Sequence, residues 1–137
     1  MTSSAPKPPV VLVVDDDPDI LEALAEILEV EGFEVRRARN GQEALEQLGP
    51  PAPKLILLDL MMPVMDGWEF VQRLPHRHSG QAIPIVILSA DRNVAAKAKE
   101  LGAVGYLAKP FELNDLLELV RRSLQRALGL THPKGGG

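Results

Sequence analysis

Three short apolar runs constrain this chain more than anything else in it: Val10-Val-Leu-Val-Val14, Leu55-Ile-Leu-Leu58 and Ile85-Val-Ile-Leu88. A strand with one wet face alternates apolar and polar residues. A strand that does not alternate is buried on both faces, which is the signature of a parallel sheet covered by helices on each side. Periodicity alone does not distinguish such runs from short buried helices, but their length and β-branched content favour strands. Phe33-Glu-Val-Arg-Arg37 does alternate, and Tyr106-Leu-Ala108 makes a fifth short run.

Helical patterns fill the intervals. Ile20, Leu21, Leu24, Ile27 and Leu28 form one stripe of a helix. Asp17 before Pro18 supplies a cap and a proline at the first helical position, and Gly32 supplies the stop. Asn40 to Leu48 reads as a helix capped by Asn40 and ended by Gly49-Pro50. Gly67 to Leu74 reads as another, as does Asn93 to Leu101 with Asn93 at its start and Gly102 at its end. Leu113, Leu116, Leu117, Val120, Leu124 and Leu128 mark a long last helix. Strand and helix thus alternate five times, which implies an α/β domain with a parallel sheet between two helical layers.

At 137 residues the chain suffices for one such domain. Its body is expected over residues 10–128, with flexible Pro/Ser-rich and Gly-rich tails at 1–9 and 129–137. With 45% hydrophobic and 25% charged residues, wholesale disorder is excluded. The absence of cysteine excludes a disulfide scaffold, a thiolate metal site and a cysteine nucleophile. A net charge of −4 gives no global attraction to nucleic acid. The first residues do not read as an export signal, and no apolar run approaches the ~20 residues that span a bilayer. The expectation is a soluble, cytoplasmic protein that binds neither nucleic acid directly nor membrane.

Open parallel sheets bind ligands beyond the carboxyl ends of their strands. Asp15, Asp16 and Asp17 follow the first strand, Asp59 the third, Ser89 the fourth and Lys109-Pro110 the fifth. The second strand is followed by nothing comparable, as suits an edge. Asp17 is accounted for as a helix cap, but the remaining carboxylates repel one another and desolvate badly unless a cation sits among them. Oxygen ligands without histidine or cysteine suit Mg2+, which is often completed by a phosphate oxygen. Asp59 is placed to attack phosphorus and form an aspartyl phosphate. Lys109 would offset the charge of the transferred group, and the Ser89 hydroxyl could donate to one of its oxygens, with small Ala90 leaving room.

Taken together, the motifs Val13-Val-Asp-Asp-Asp-Pro18, Leu57-Leu-Asp-Leu-Met-Met-Pro-Val-Met-Asp-Gly67, Ile87-Leu-Ser-Ala90 and Gly105-Tyr-Leu-Ala-Lys-Pro-Phe111 resemble the receiver domain of bacterial two-component response regulators over about residues 10–128. Each motif is weak alone; all four in order at strand ends are specific. The resemblance implies a flavodoxin-like (βα)5 fold with strand order 2-1-3-4-5. It implies that Asp59 is the phosphoacceptor, that Asp16 ligates Mg2+ directly, that Asp15 acts partly through water and that the backbone carbonyl of Met61 is a further ligand. It casts Ser89 and Tyr106 as switch residues and Lys109 as the phosphate-holding cation, followed by a cis bond to Pro110. Pro63 and Gly67 would shape the loop after Asp59, with Asp66-Gly67 as turn chemistry. A sensor histidine kinase or phosphotransfer protein would donate the phosphoryl group, and a downstream protein partner would read the surface of the fourth helix, fifth strand and fifth helix. The alternative is the receiver part of a larger regulator with an output domain beyond this chain.

Other features have plainer readings. His76 and His78 lack a nearby third ligand and read as a solvated loop pair. Arg121, Arg122, Arg126 and Lys134 read as a wet helix face rather than a nucleic-acid site. Trp68 reads as core packing. Val104 stands where many receivers carry an acidic residue, and the small, alanine-rich fourth helix lacks the interlocking charges of symmetric dimers, so a monomer or weak dimer is expected. A phosphatase built on an Asp59 intermediate would need an acid–base group two residues on, where Met61 stands. A flavin module would need a first loop rich in hydroxyls and glycine, where this one is acidic.

Overall fold

The computed structural model describes residues 7–74 and 83–127. Most of the expected tails, His76, His78 and Lys134 lie outside the described residues, as does the side chain of Arg126. The elements, in chain order, are β1 (Val10–Val14), α1 (Pro18–Val30), β2 (Glu34–Ala38), α2 (Gly41–Glu46), β3 (Leu55–Leu58), α3 (Gly67–Arg73), β4 (Ile85–Ser89), α4 (Val94–Leu101), β5 (Gly105–Ala108) and α5 (Leu113–Ala127). All four strand pairings are parallel, in the order β2-β1-β3-β4-β5.

The runs without alternation lie at the centre and are buried on both faces. Their period of two divides them between two cores. Leu12, Val14, Ile56, Leu58 and Ile87 pack with Phe70 of α3 and with Val94 and Ala98 of α4. Val11, Val13, Leu57, Val86 and Leu88 pack on the other side with Leu24 and Leu28 of α1 and Leu116 and Val120 of α5. Each such Val or Leu withdrawn from water contributes about 1.5–3 kcal/mol before entropy is counted. The aromatic of the α2–α4 side is Phe70, which is fully buried, whereas Trp68 is only half-buried.

The edge strand β2 spends its arginines on opposite sides. Arg36 donates to the carbonyls of Gln47 (2.7 Å), Gly49 (2.9 Å) and Pro51 (2.7 Å), binding the connection from α2 to β3. Arg37 pairs with Glu22 and Glu29 of α1. That connection contains a cis Pro50-Pro51 bond, and α2 ends at Glu46, two residues short of the sequence expectation. Asp17 caps α1 as expected, accepting from the Asp19 N–H at 2.9 Å. Gly32 and Gly102 adopt the left-handed φ values of 100° and 72° that end α1 and α4. The fourth helix begins at Val94, one residue after the expected start, and Asn93 stands before it without a side-chain cap bond.

Candidate functional site

Parallel strands bring their carboxyl ends to one side, and the connecting segments there carry the acidic residues. The β1 and β3 strands are neighbours, with Val14 opposite Leu58, so the residues after them emerge side by side. The Asp59 N–H donates to the Val14 carbonyl and the Asp15 N–H to the Ala38 carbonyl, each at 3.0 Å, which continues the sheet one residue into the site. On the far side β5 runs beside β4, and the Lys109 N–H donates to the Ser89 carbonyl at 2.9 Å. The Lys109–Pro110 bond is cis, as the resemblance implied.

The side chains converge. Lys109 donates from Nζ to Asp15 Oδ2 at 2.7 Å and to Asp59 Oδ2 at 3.4 Å. Asp15 and Asp59 are buried, whereas Asp16 is exposed. One carboxylate oxygen from each of the three lies within 4.8 Å of the others. Asp16 has no ion-pair partner among the described residues, and one ammonium stands against three carboxylates. Burial pushes the Asp59 carboxyl above the usual aspartate range; the Lys109 charge and the Met61 N–H, donated to Asp59 Oδ1 at 3.2 Å, pull back, while the Asp15 carboxylate adds to the rise. Burial works against the Lys109 ammonium, but its bond to Asp15 and the charges of both carboxylates outweigh that and hold its pKa above the usual lysine value. Three carboxylates, two of them buried, with incomplete charge compensation fit a small hard cation such as Mg2+.

Glycine and proline fix the loop from Asp59 to α3. Gly67 donates its N–H to the Leu60 carbonyl at 3.0 Å, and a Cβ there would come within 2.9 Å of the Asp59 carbonyl oxygen. Asp66, read from the sequence as turn chemistry, caps α3 by accepting the Glu69 N–H. Val64 carries a φ of 70°, uncommon for a branched residue, and the Met65 N–H donates to the Pro63 carbonyl around it at 2.7 Å. Met61 is 66% exposed beside the acid cluster.

Ser89 is fully buried at the end of β4, and its Oγ accepts the Asp91 N–H at 3.2 Å. Tyr106 lies on the edge strand β5 with 45% of its surface exposed, opposite Ile87. Val104 is also exposed, on the approach to the same strand. Arg121 pairs at 2.6 Å with Glu31, the residue that follows α1, and Arg122 is exposed, in keeping with a wet face of α5. Sequence reasoning missed Asp91. Its only local signal was an acid two residues before Asn93, in a position to compete for the cap.

The comparisons with known proteins agree with this architecture. The family model described as the response regulator receiver domain matches residues 11–121. Response regulator MprA of Mycolicibacterium vanbaalenii is 40% identical over 118 residues, covering 85% of this chain and 50% of that protein. The chain therefore spans about half the length of such relatives. A response regulator from Chloroflexus aurantiacus superposes with a TM-score of 0.78 at 38% identity, over 88% of this chain and 100% of that one. Response regulator TrrA from Thermotoga maritima, solved in complex with Mg2+-BeF, gives a TM-score of 0.73 at 33% identity over 84% of this chain and 98% of that one. With its strand order, its acidic strand ends and a family match over most of its length, this chain belongs to the response regulator receiver domains, a family of signalling domains.

Proposed function

We propose that this receiver takes a phosphoryl group on Asp59 from the phosphohistidine of a sensor kinase or phosphotransfer protein. The supporting observation is the arrangement of Asp15, Asp16, Asp59 and Lys109 at the carboxyl end of the sheet. An oxygen of the Asp59 carboxylate attacks phosphorus, an O–P bond forms and the P–N bond to the donor imidazole breaks. The imidazole keeps the electron pair and takes up a proton. Lys109 already lies within 3.4 Å of Asp59 and balances charge on the transferred group. Asp15, Asp16 and Asp59, with the Met61 carbonyl, would hold Mg2+, which when bound supplies positive charge to the phosphoryl oxygens.

The output is a shift in population. A phosphoryl oxygen at Asp59 offers Ser89 an acceptor, the hydroxyl turns toward it, and Tyr106 follows into the vacated space. The surface of α4, β5 and α5 then favours a second state that a protein partner reads. The relatives that continue beyond the matched region favour a second reading, in which that partner is an output module of the same polypeptide.

Incubation with acetyl phosphate and Mg2+, followed by intact mass spectrometry, tests the chemistry. One phosphoryl increment is expected, and none in Asp59→Asn, because an amide is a poor nucleophile toward phosphorus. Undiminished labelling of Asp59→Asn would move the site elsewhere.

A further inference from the structure

The segment between β4 and α4 is held by one side chain outside the acid cluster. Asn93 occupies the cap position of α4 without capping it. Asp91 braces the segment instead, through its backbone and its carboxylate. Its carbonyl accepts the Val94 N–H at 3.2 Å, and one carboxylate oxygen accepts the Asn93 N–H at 2.7 Å. The other carboxylate oxygen pairs with Lys97 Nζ, one turn further along α4. In the opposite direction the Asp91 N–H donates to Ser89 Oγ at 3.2 Å. The pair is only partly open to solvent, with side-chain exposures of 24% for Asp91 and 29% for Lys97. The Lys97 ammonium, helped by the Asn93 N–H, holds the Asp91 carboxyl below the usual aspartate range.

We propose that Asp91 is a positioning residue that ties the Ser89 hydroxyl to the first turns of α4, so that the orientation of the hydroxyl sets how firmly α4 is held. The proposal rests on the reading of Asp59 as phosphoacceptor. A serine hydroxyl has one proton and two lone pairs. When it turns to donate to a phosphoryl oxygen, the lone pair that received the Asp91 N–H turns with it. The Asp91 backbone follows or loses its acceptor. Either way the carbonyl and carboxylate of the same residue shift beneath Asn93, Val94 and Lys97. This route to α4 needs no movement of Tyr106 and is separable from it.

Amide NMR and hydrogen exchange on the whole chain test this, using Mg2+ with beryllofluoride as the probe. In the wild type, shifts are expected at Asp15, Asp16, Asp59 and Lys109 and again from Asp91 to Leu101. Lys97→Met should keep the shifts in the acid cluster, lose most of the response across α4, and speed exchange at Val94–Ala98 about fivefold without the probe. Asp91→Ala should do the same more strongly, and Lys97→Arg should restore the α4 response. An α4 response of wild-type size in both Lys97→Met and Asp91→Ala, with the acid-cluster shifts intact, would overturn the tie alone. Absence of acid-cluster shifts in the wild type would overturn the phosphoacceptor reading and the proposal with it.

Discussion

Lys109 is outnumbered by the carboxylates around it, and the small residues nearby explain how so much charge is held in place. Gly67 is the clearest case. It has an ordinary helical position, yet a Cβ there would meet the Asp59 carbonyl oxygen at 2.9 Å and the Leu60 backbone at 2.9 Å. Backbone atoms cannot turn aside as a flexible side chain can, so Gly67→Ala must displace the residue that bears the proposed nucleophile. Overpacking of this kind costs about 1–3 kcal/mol. We expect Gly67→Ala to melt earlier and also to label more slowly with acetyl phosphate than its residual folded fraction explains. Labelling at the wild-type rate per folded molecule would show that the loop yields without moving Asp59. The sequence made the acids, Ser89 and Lys109 legible because each follows an apolar run. It did not make Asp91 legible, because an isolated acid in a polar connection carries no periodicity, and its bonds to Ser89, Asn93 and Lys97 appear only in the folded chain.

The helices show the same competition between local signals. Around α2 the expected cap is used: Asn40 Oδ1 accepts the Glu43 N–H at 2.9 Å, and Glu43 reaches back to accept the Arg39 N–H at 2.8 Å. That reciprocal arrangement satisfies donors a helix start leaves open. Asn40→Ala should cost about 1 kcal/mol, read as a lower urea midpoint at unchanged slope. The Arg39 N–H, then its guanidinium, holds the Glu43 carboxyl below the usual glutamate range. A lowered value in the folded state means a contribution present above the ordinary glutamate pKa and lost as pH falls through the lowered one. Glu43→Gln should therefore narrow its stability gap to the wild type as the solution is acidified; a gap independent of pH would remove the carboxylate from the account. The existence and type of the ten described elements were readable from apolar runs and stripes together with β-branched content, caps and glycine or proline stops. Their ends were less so: β2 is shifted by one residue and α2 stops at Glu46. Both differences lie where Arg36 gathers three loop carbonyls, a long-range contact with no local sequence trace.

For the whole molecule, the acid cluster stands as a local cost set against the two cores. Charge left uncompensated in a buried site opposes folding, and a cation bound only by the native state relieves it. Thermal melts in millimolar Mg2+ should rise, by about 2.7 kcal/mol of added stability at a hundredfold excess over Kd. Asp16→Ala should lose most of that rise, and an equal rise in Asp16→Ala would remove Asp16 from the metal site. Strand order was implied by resemblance, not by periodicity, because apolar runs state which segments are central but not who neighbours whom. The parallel sheet has one more consequence. Strands point their carboxyl ends at the acids, and α5 begins at that end and runs back for 15 residues, about 22 Å. The described fold is therefore entered at Val10 and left at Ala127 on the side remote from Asp59. A tether, a fluorophore or a fused protein attached at either place hangs from the amino ends of the strands and leaves the acid cluster uncovered, so it should not hinder the proposed phosphodonor.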